Sequence, residues 1–359
     1  MAINYAVKHA PQIDERFSAA SITEPAVNKD YDFIGAKTVV VHSVPTVPMN
    51  DYQRSGASRY GTPAELEDAV QELTLSQDKA FTFTVDKGNE ADDPALNAGK
   101  ALDRQITEVI APMVDRYRLS VMAVRAGGAA YGATTKANAY ETFLDLNGML
   151  NDANAPAEGR LAYVSTAYYK LLRLDSSFVR SGDLAQSMLI SGQLGEVDGV
   201  RILPGRGRLP DGVDLLITHP VATTAPHKIS EYRIHEDAPG ISGSLVEGRD
   251  YFDAFVLNNK RGAIAVHFAK LGVLTATNVA GSSGKTRITA VEGAPAQAEL
   301  VYKIGSAVTA PALGDDLSDW SALTLGAELT ASSGDKYVVA ARSALGKAIA
   351  ATSATAAAV

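Results

Sequence analysis

The sequence predicts an α+β protein: a projecting strand hairpin, one long spine helix, a mixed α/β segment and a small terminal all-β module. Three observations carry that reading. Residues 36–88 hold two strand-like arms around a polar connection bearing glycine and arginine. An amphipathic helical pattern of about thirty residues follows directly. Beyond it, short β-branched segments first alternate with helical ones and then stand alone, the order that layered α+β folds require. The 359 residues exceed the roughly 100–200 of a usual domain, so two or three modules sharing a core are expected.

Residues 1–35 are polar and mixed, with Pro11 and Pro25 against any long helix and a short one expected over 13–20. They read as an arm, disordered alone and ordered against a neighbour. The run TVVVHSV from Thr38 is strand-like, and Pro45 and Pro48 confine it to an edge. The connection carries Tyr52, Arg54, Arg59 and Tyr60 among the turn formers Gly56, Ser58 and Gly61, and residues 64–71 suit a short helix exposing Glu65, Glu67 and Asp68. In the return arm Phe81, Phe83 and Val85 alternate with Thr82, Thr84 and Asp86. Arms of about 12 residues reach roughly 40 Å, so this hairpin, residues 36–88, should project from the body.

Asp93 and Pro94 are placed to cap and open the spine helix. Leu102, Ile106, Val109, Ile110, Met113, Val114, Tyr117, Val121 and Val124 then recur at helical spacing. Pro112 removes one internal hydrogen bond and should bend the helix near Glu108, and Gly127 and Gly128 end it. A second helix is expected over 138–150, a buried strand at Leu161, a helix over 166–173, and strands at Val200 and Leu215 around the glycine-rich loop 204–212. Residues 227–268 are strand-rich, with strict alternation from Ile229 and a buried run from Ala263. The stretch AGSSG, 280–284, reads as a linker to a β-sandwich over 285–359, with strands at Thr286, Leu300 and Lys336. A module on such a linker can swing clear of the body, so deleting 285–359 should leave the remainder able to associate. No structure is assigned to the end of the Ala- and Thr-rich stretch 348–359.

Composition excludes several functions. The net charge of -8 and the sequence pI near 5.3 argue against nucleic-acid binding through a basic surface, although a protein that merely encloses a polyanion needs no such charge. Zero cysteines remove thiol catalysis and disulfides and suit folding in a reducing cytoplasm. The N-terminus lacks the pattern of a secretion signal, and no apolar run is long enough to span a membrane.

Motif chemistry is equally bare. Around Gly281, Lys285 and Thr286 a phosphate-binding loop would need glycine at position 279, where Val279 stands, and a helix after it. The loop containing Gly205 and Gly207 lacks the third glycine of a dinucleotide fingerprint, and Pro210 would interrupt its helix. Its two arginines, Arg206 and Arg208, suit salt bridges across a symmetric contact; the alternative is a plain solvated loop. The histidines His9, His42, His219, His227, His235 and His267 have no metal-type spacing and read as surface or satisfied core residues. No nucleophile elbow surrounds any serine, and the pairs Asp92–Asp93 and Asp315–Asp316 do not space like a calcium loop. No enzyme activity, cofactor or metal is expected.

Taken in order, the segments VNKDYDFIGAKTV from Val27, MNDYQRSG from Met49, SRYGTP from Ser58, QELTL from Gln71, FTFTVDKGN from Phe81 and VDRYR from Val114 resemble the tailed-bacteriophage major capsid proteins of the Hong Kong phage fold. The resemblance covers roughly residues 1–280. It implies an N-terminal arm over 1–35, an extended loop over 36–88, a peripheral domain from 89–139 and 226–280, and an axial domain over 140–225. Residues 285–359 resemble the immunoglobulin-like modules of some phage shells. The implied function is self-assembly, as pentamers and hexamers, into an icosahedral virion shell that encloses double-stranded DNA without reading its sequence. Subunits would meet in the host cytoplasm, and no membrane is involved. A portal, decoration proteins and a separate scaffolding protein are implied partners; the start at Met1, almost at the arm, favours separate scaffolding over a fused and cleaved one. The implied subunit contacts are Tyr52, Arg54, Arg59, Tyr60, Phe81, Phe83, Arg104, Arg116, Arg206 and Arg208.

Some members weld subunits through a lysine in the extended loop. Here residues 38–78 contain none, with Lys37, Lys79 and Lys87 all at the base, so no such crosslink is expected. A nanocompartment shell protein of the same fold is the nearest alternative, disfavoured by the added β module. A tail-tube protein or adhesin is further off, because both are predominantly β.

Overall fold

The computed structural model describes residues 21–31, 33, 37–43, 47–63, 65, 69–88, 97–175, 195–236 and 238–357. The arm helix expected over 13–20, and the cap at Asp93 and Pro94, lie outside them.

Strand β1, Thr38–Ser43, pairs antiparallel with β2, Ala69–Thr74, from Thr38↔Thr74 to Ser43↔Ala69. This corrects two expectations. The partner of the outgoing arm is β2, not the phenylalanine strand, and residues 69–71, expected in a helix, are extended. Helix-favouring acids precede β2, but pairing against three consecutive valines and burial of Leu73 override local propensity. Leu73 and Leu75 root the hairpin in a cluster with Phe33, Phe255 and Leu257. The third strand, β3, Gln77–Asp86, turns away after a two-residue link.

Helix α1, Ala98–Gln105, starts at Asn97, whose side chain accepts from the amides of Gly99 and Lys100. It runs through a π turn, Ile106–Ile110, into α2, Ala111–Arg125. Pro112 offers no N–H to Glu108, and the amide of Ala111 reaches five residues back to the Ile106 carbonyl. The bend expected near Glu108 is therefore absorbed as a widened turn. That turn rotates the apolar stripe, and Val109, expected on the buried face, is exposed. Gly127 ends the helix by close approach, not by a left-handed cap. Its amide donates to the carbonyls of Arg261 and Ile264, and a Cβ there would stand 2.5 Å from the Arg261 oxygen.

Next come β4, Gly128–Tyr131, α3, Ala139–Asp152, β5, Leu161–Val164, and α4, Thr166–Leu174. The strands β6, Glu196–Val197, β7, Val200–Pro204, and β8, Val213–Thr218, follow. After β9, Thr223–Thr224, a hairpin forms from β10, His227–Glu236, and β11, Gly243–Phe252. Beyond them, β12, Phe255–Val256, pairs with β9, and β13, Ile264–Phe268, enters a six-stranded mixed sheet of order β4-β13-β8-β5-β7-β6. That sheet takes strands from 128 to 268 and so crosses the boundaries expected at 139 and 225. One face carries Phe143 and Leu146 of α3 and Tyr168 and Leu172 of α4; the other packs on Leu119 and Met122 of α2. In the second sheet, of order β10-β11-β3, Val85, Tyr232, Val246 and Phe252 cover Leu102, Ile106, Ile110 and Val114 of the spine.

The last segment corrects the expected linker. Strand β14, Gly272–Val273, precedes β15, Thr275–Ala280, and residues 281–284 are the tight turn into β16, Lys285–Glu292, where the Lys285 amide donates to the Ser282 carbonyl at 2.9 Å. Then follow β17, Glu299–Gly305, β18, Ser321–Ala322, β19, Glu328–Thr330, β20, Lys336–Arg342, and β21, Ala348–Thr355. Thus most of the Ala- and Thr-rich end is a strand, aligned on β20 from Lys336↔Thr355 to Arg342↔Ala348. Two sheets, β14-β21-β20-β17-β18 and β15-β16-β19, enclose Ile288, Leu329, Tyr337, Val339 and Ile349. These residues belong to one core with Leu119, Met122 and Phe268 of the body. The β layer is built into the subunit, not hung on a linker.

Candidate assembly surface

Residues 47–63 project beyond the β1–β2 hairpin and are exposed at every position except the half-buried Gly61. The Gln53 amide donates to the Arg59 carbonyl at 2.9 Å, and the Gly61 amide to the Ser58 carbonyl at 3.1 Å, so the tip closes on itself. Tyr52 and Tyr60 meet edge to face with ring centroids 5.1 Å apart. Arg59 Nε reaches the Gly56 carbonyl at 3.4 Å, and Arg54 is exposed beside it. Met49 is 98% exposed and Tyr60 84%. Met49, Tyr52 and Tyr60 are thus large apolar side chains displayed on one loop with two arginines. Of the expected contact residues, Tyr52, Arg54, Arg59 and Tyr60 all lie exposed on this one loop.

The other expected contact residues divide. Phe81 and Phe83 lie on the face of β3 turned to the spine helix, stacked on each other at 6.1 Å, and Phe81 also meets Tyr232. Half-buried, they pack against the subunit's own core; opposite Phe81 stands Gly248, where a Cβ would lie 2.2 Å from the ring. Arg104 is exposed and forms a two-bond ion pair with Glu108, one turn along the helix. Arg116 is exposed on α2, and Arg206 is exposed at a left-handed φ of +46°.

Arg208 is buried within the subunit. It pairs with the fully buried Asp115 of α2. The same carboxylate accepts from Ser21 Oγ at 2.6 Å, Ile22 N at 3.0 Å, Thr23 N at 3.2 Å and Thr23 Oγ1 at 2.5 Å. One turn on, Arg118, also fully buried, donates to Thr23 Oγ1 and to Glu24 Oε2 at 2.9 Å, while Lys29 holds Glu24 Oε1 at 2.6 Å. Asp115 and Arg118 thus strap residues 21–24 and the loop before β8 to the spine. Sequence reasoning missed this pair: Asp115 lies off the apolar stripe of Val114, Tyr117 and Val121, on the side it shares with Leu119 and Met122, and the structure buries that side as well.

A cavity of about 540 Å³ lies under α4, lined among others by Thr134, Ser165, Tyr168, Leu209, Asp214 and Lys270. Beside it Asp214 holds His267 Nδ1 at 2.6 Å and accepts from Thr134 Oγ1 at 2.5 Å. Thr134 Oγ1 therefore faces the carboxylate and the same ring nitrogen, an arrangement that ties β8, β13 and the segment after β4 together. Among the described residues no cluster of histidines and carboxylates is arranged to hold a metal ion, and no helix is long and apolar enough to cross a membrane.

No family model and no curated protein matches this chain. Solved structures do. A structure from Mycobacterium phage Che8 superposes with a TM-score of 0.57 at 19% identity, covering 74% of this chain and 93% of that one. The capsid of cyanophage P-SCSP1u matches at 0.53 and 12% identity over 68% and 86%, and the mature capsid of bacteriophage PhiM1 at 0.52 and 11% over 69% and 87%. With the projecting loop, the spine helix and the two sheets against it already in place, these likenesses settle the architecture: the chain has the fold of tailed-phage major capsid proteins.

Proposed function

We propose that this chain is the major shell subunit of a tailed double-stranded DNA phage. It closes with copies of itself into an icosahedral capsid, with no catalytic step of its own. The observation that carries the reading is the extended loop, whose exposed Met49, Tyr52 and Tyr60 beside Arg54 and Arg59 extend outward from the body. A neighbouring copy laid under that loop would cover this surface, and many such modest contacts sum to a closed lattice. In this reading residues 89–139 and 226–280 form the peripheral part of each subunit, 140–225 the axial part gathered at five- and sixfold positions, and 1–35 the arm. The β layer is of the immunoglobulin-like kind. Scaffolding, portal and decoration proteins are its further partners, and the genome is enclosed without base contacts.

Electron microscopy of the expressed chain tests this. Closed shells of tens of nanometres are expected, and tubes or dispersed monomers would defeat it. Nuclease-protected DNA in native particles then separates a capsid from a compartment shell. Since residues 38–78 hold no lysine, particles boiled in detergent should run as single subunits without a covalent ladder.

A further inference from the structure

The carboxylate of Asp253, 1% exposed, stands where three parts of the subunit meet. Its Oδ2 accepts from Ser76 N at 2.7 Å and Ser76 Oγ at 2.8 Å, in the two-residue link from the loop hairpin into β3. Its Oδ1 accepts from the Tyr117 hydroxyl of the spine helix at 2.6 Å and from Ala254 N at 2.8 Å. The third part is the β layer. Between β16 and β17, Gln297 donates Nε2 to the Ala254 carbonyl at 3.0 Å, with Tyr117 Oη at 3.4 Å and Asp253 Oδ1 at 3.5 Å. Gln297 holds a left-handed φ of +59°, a conformation that favours glycine. Beside it the Ala296 amide donates to Ser120 Oγ at 2.6 Å.

We propose that the β layer fixes the direction in which the extended loop leaves the body, with Gln297, Asp253 and Ser76 as its positioning residues. The loop is a lever whose root is the link at Leu75 and Ser76. The Asp253 side chain clamps that root, and Gln297 braces the peptide that carries the clamp. A small rotation at the root becomes a large displacement at Tyr60. The effect on a shell rests on the assembly reading above; the coupling itself belongs to the single subunit.

Hydrogen–deuterium exchange on the unassembled full-length chain tests it. Gln297→Gly keeps the left-handed turn and removes the amide side chain. Amides across the link, residues 75–77, should then exchange roughly 3- to 10-fold faster, as expected for one lost hydrogen bond, while β20 keeps its protection. Coupling is reciprocal, so Ser76→Ala should speed exchange at 294–298 by a similar factor. A link unmoved by Gln297→Gly overturns the proposal, as does a loop 294–298 unmoved by Ser76→Ala; should the glycine variant not fold, the serine variant decides alone. A wild-type chain that forms no shells defeats the assembly reading and leaves the exchange coupling intact.

Discussion

At the residue scale the subunit is organised by charges placed where apolar side chains would be expected. Asp115 is fully buried and gathers five donors from two distant segments. Asp115→Ala would leave Arg208 buried without its counter-charge, and loss of about 3–5 kcal/mol is expected in urea denaturation. His227, stacked on Phe252 with ring centroids 5.5 Å apart, is a pH-sensitive member of the same neighbourhood. Burial, reinforced by Arg118 and Lys29 against the opposing pull of Glu24, lowers its pKa to about 3. Below its ordinary value of 6.5 the unfolded chain takes up a proton that the folded chain refuses. Stability is therefore complete above that value and falls as the pH drops through the window toward 3. Glu24 enters only lower. Burial works to raise its carboxyl, but Lys29 and Arg118 outweigh that and hold it below the ordinary 4.5, so its contribution is present above 4.5 and lost as the pH falls further. His227→Phe should accordingly flatten a slope worth about 2 kcal/mol between roughly pH 6.5 and 5, read from urea midpoints. The burial of Asp115 and Arg118 was not legible, because the spine helix is covered on more than the one face that its apolar spacing marks. Nor were their partners, because Ser21 and Thr23 meet them across some ninety positions of chain.

At the element scale, periodicity located nearly every segment, and pairing decided what each became. The alternation at Phe81, Phe83 and Val85 did predict a strand with one apolar face. It could not say whether that face met β1 or the spine, since period two fixes the inward side and leaves the neighbour open. Ahead of β2 the acids at Glu65, Glu67 and Asp68 suggested a helix, and the long-range pairing of β2 with β1 was invisible locally. Pro112 marked the spine's irregularity at the correct turn. Ser43 and Ala69 are paired residues at the end of the hairpin, so the projecting loop can be removed without disturbing its root. Replacing residues 44–68 by Asn-Gly, a turn suited to a two-residue hairpin, should leave circular dichroism and thermal stability near wild type while shell formation disappears from light scattering and micrographs.

At the scale of the whole molecule, the strands at Thr286, Leu300 and Lys336 were legible as a β module, but its attachment was not. The stretch AGSSG has linker composition, and the same residues suit a tight turn; only the pairing of Thr286 with Ala280 distinguishes the two. Because Tyr337, Val339 and Ile349 share a core with Leu119 and Met122, deleting residues 285–359 should yield insoluble protein instead of a competent shell subunit, as measured by the soluble fraction on expression. The weave also governs how the chain reaches its native state. The Ala344 amide closes on the Val124 carbonyl, and β21 lies parallel to β14, so these contacts await the meeting of segments far apart in sequence. Such closure is slow. Until it occurs, the uncharged run Tyr337, Val338, Val339, Ala340 and Ala341 stands open between Lys336 and Arg342, ready to pair with the same run of another chain. Refolding yield should then be set by protein concentration and temperature more than by native stability, with Asp335, Lys336 and Arg342 as the charges that flank the run during that interval.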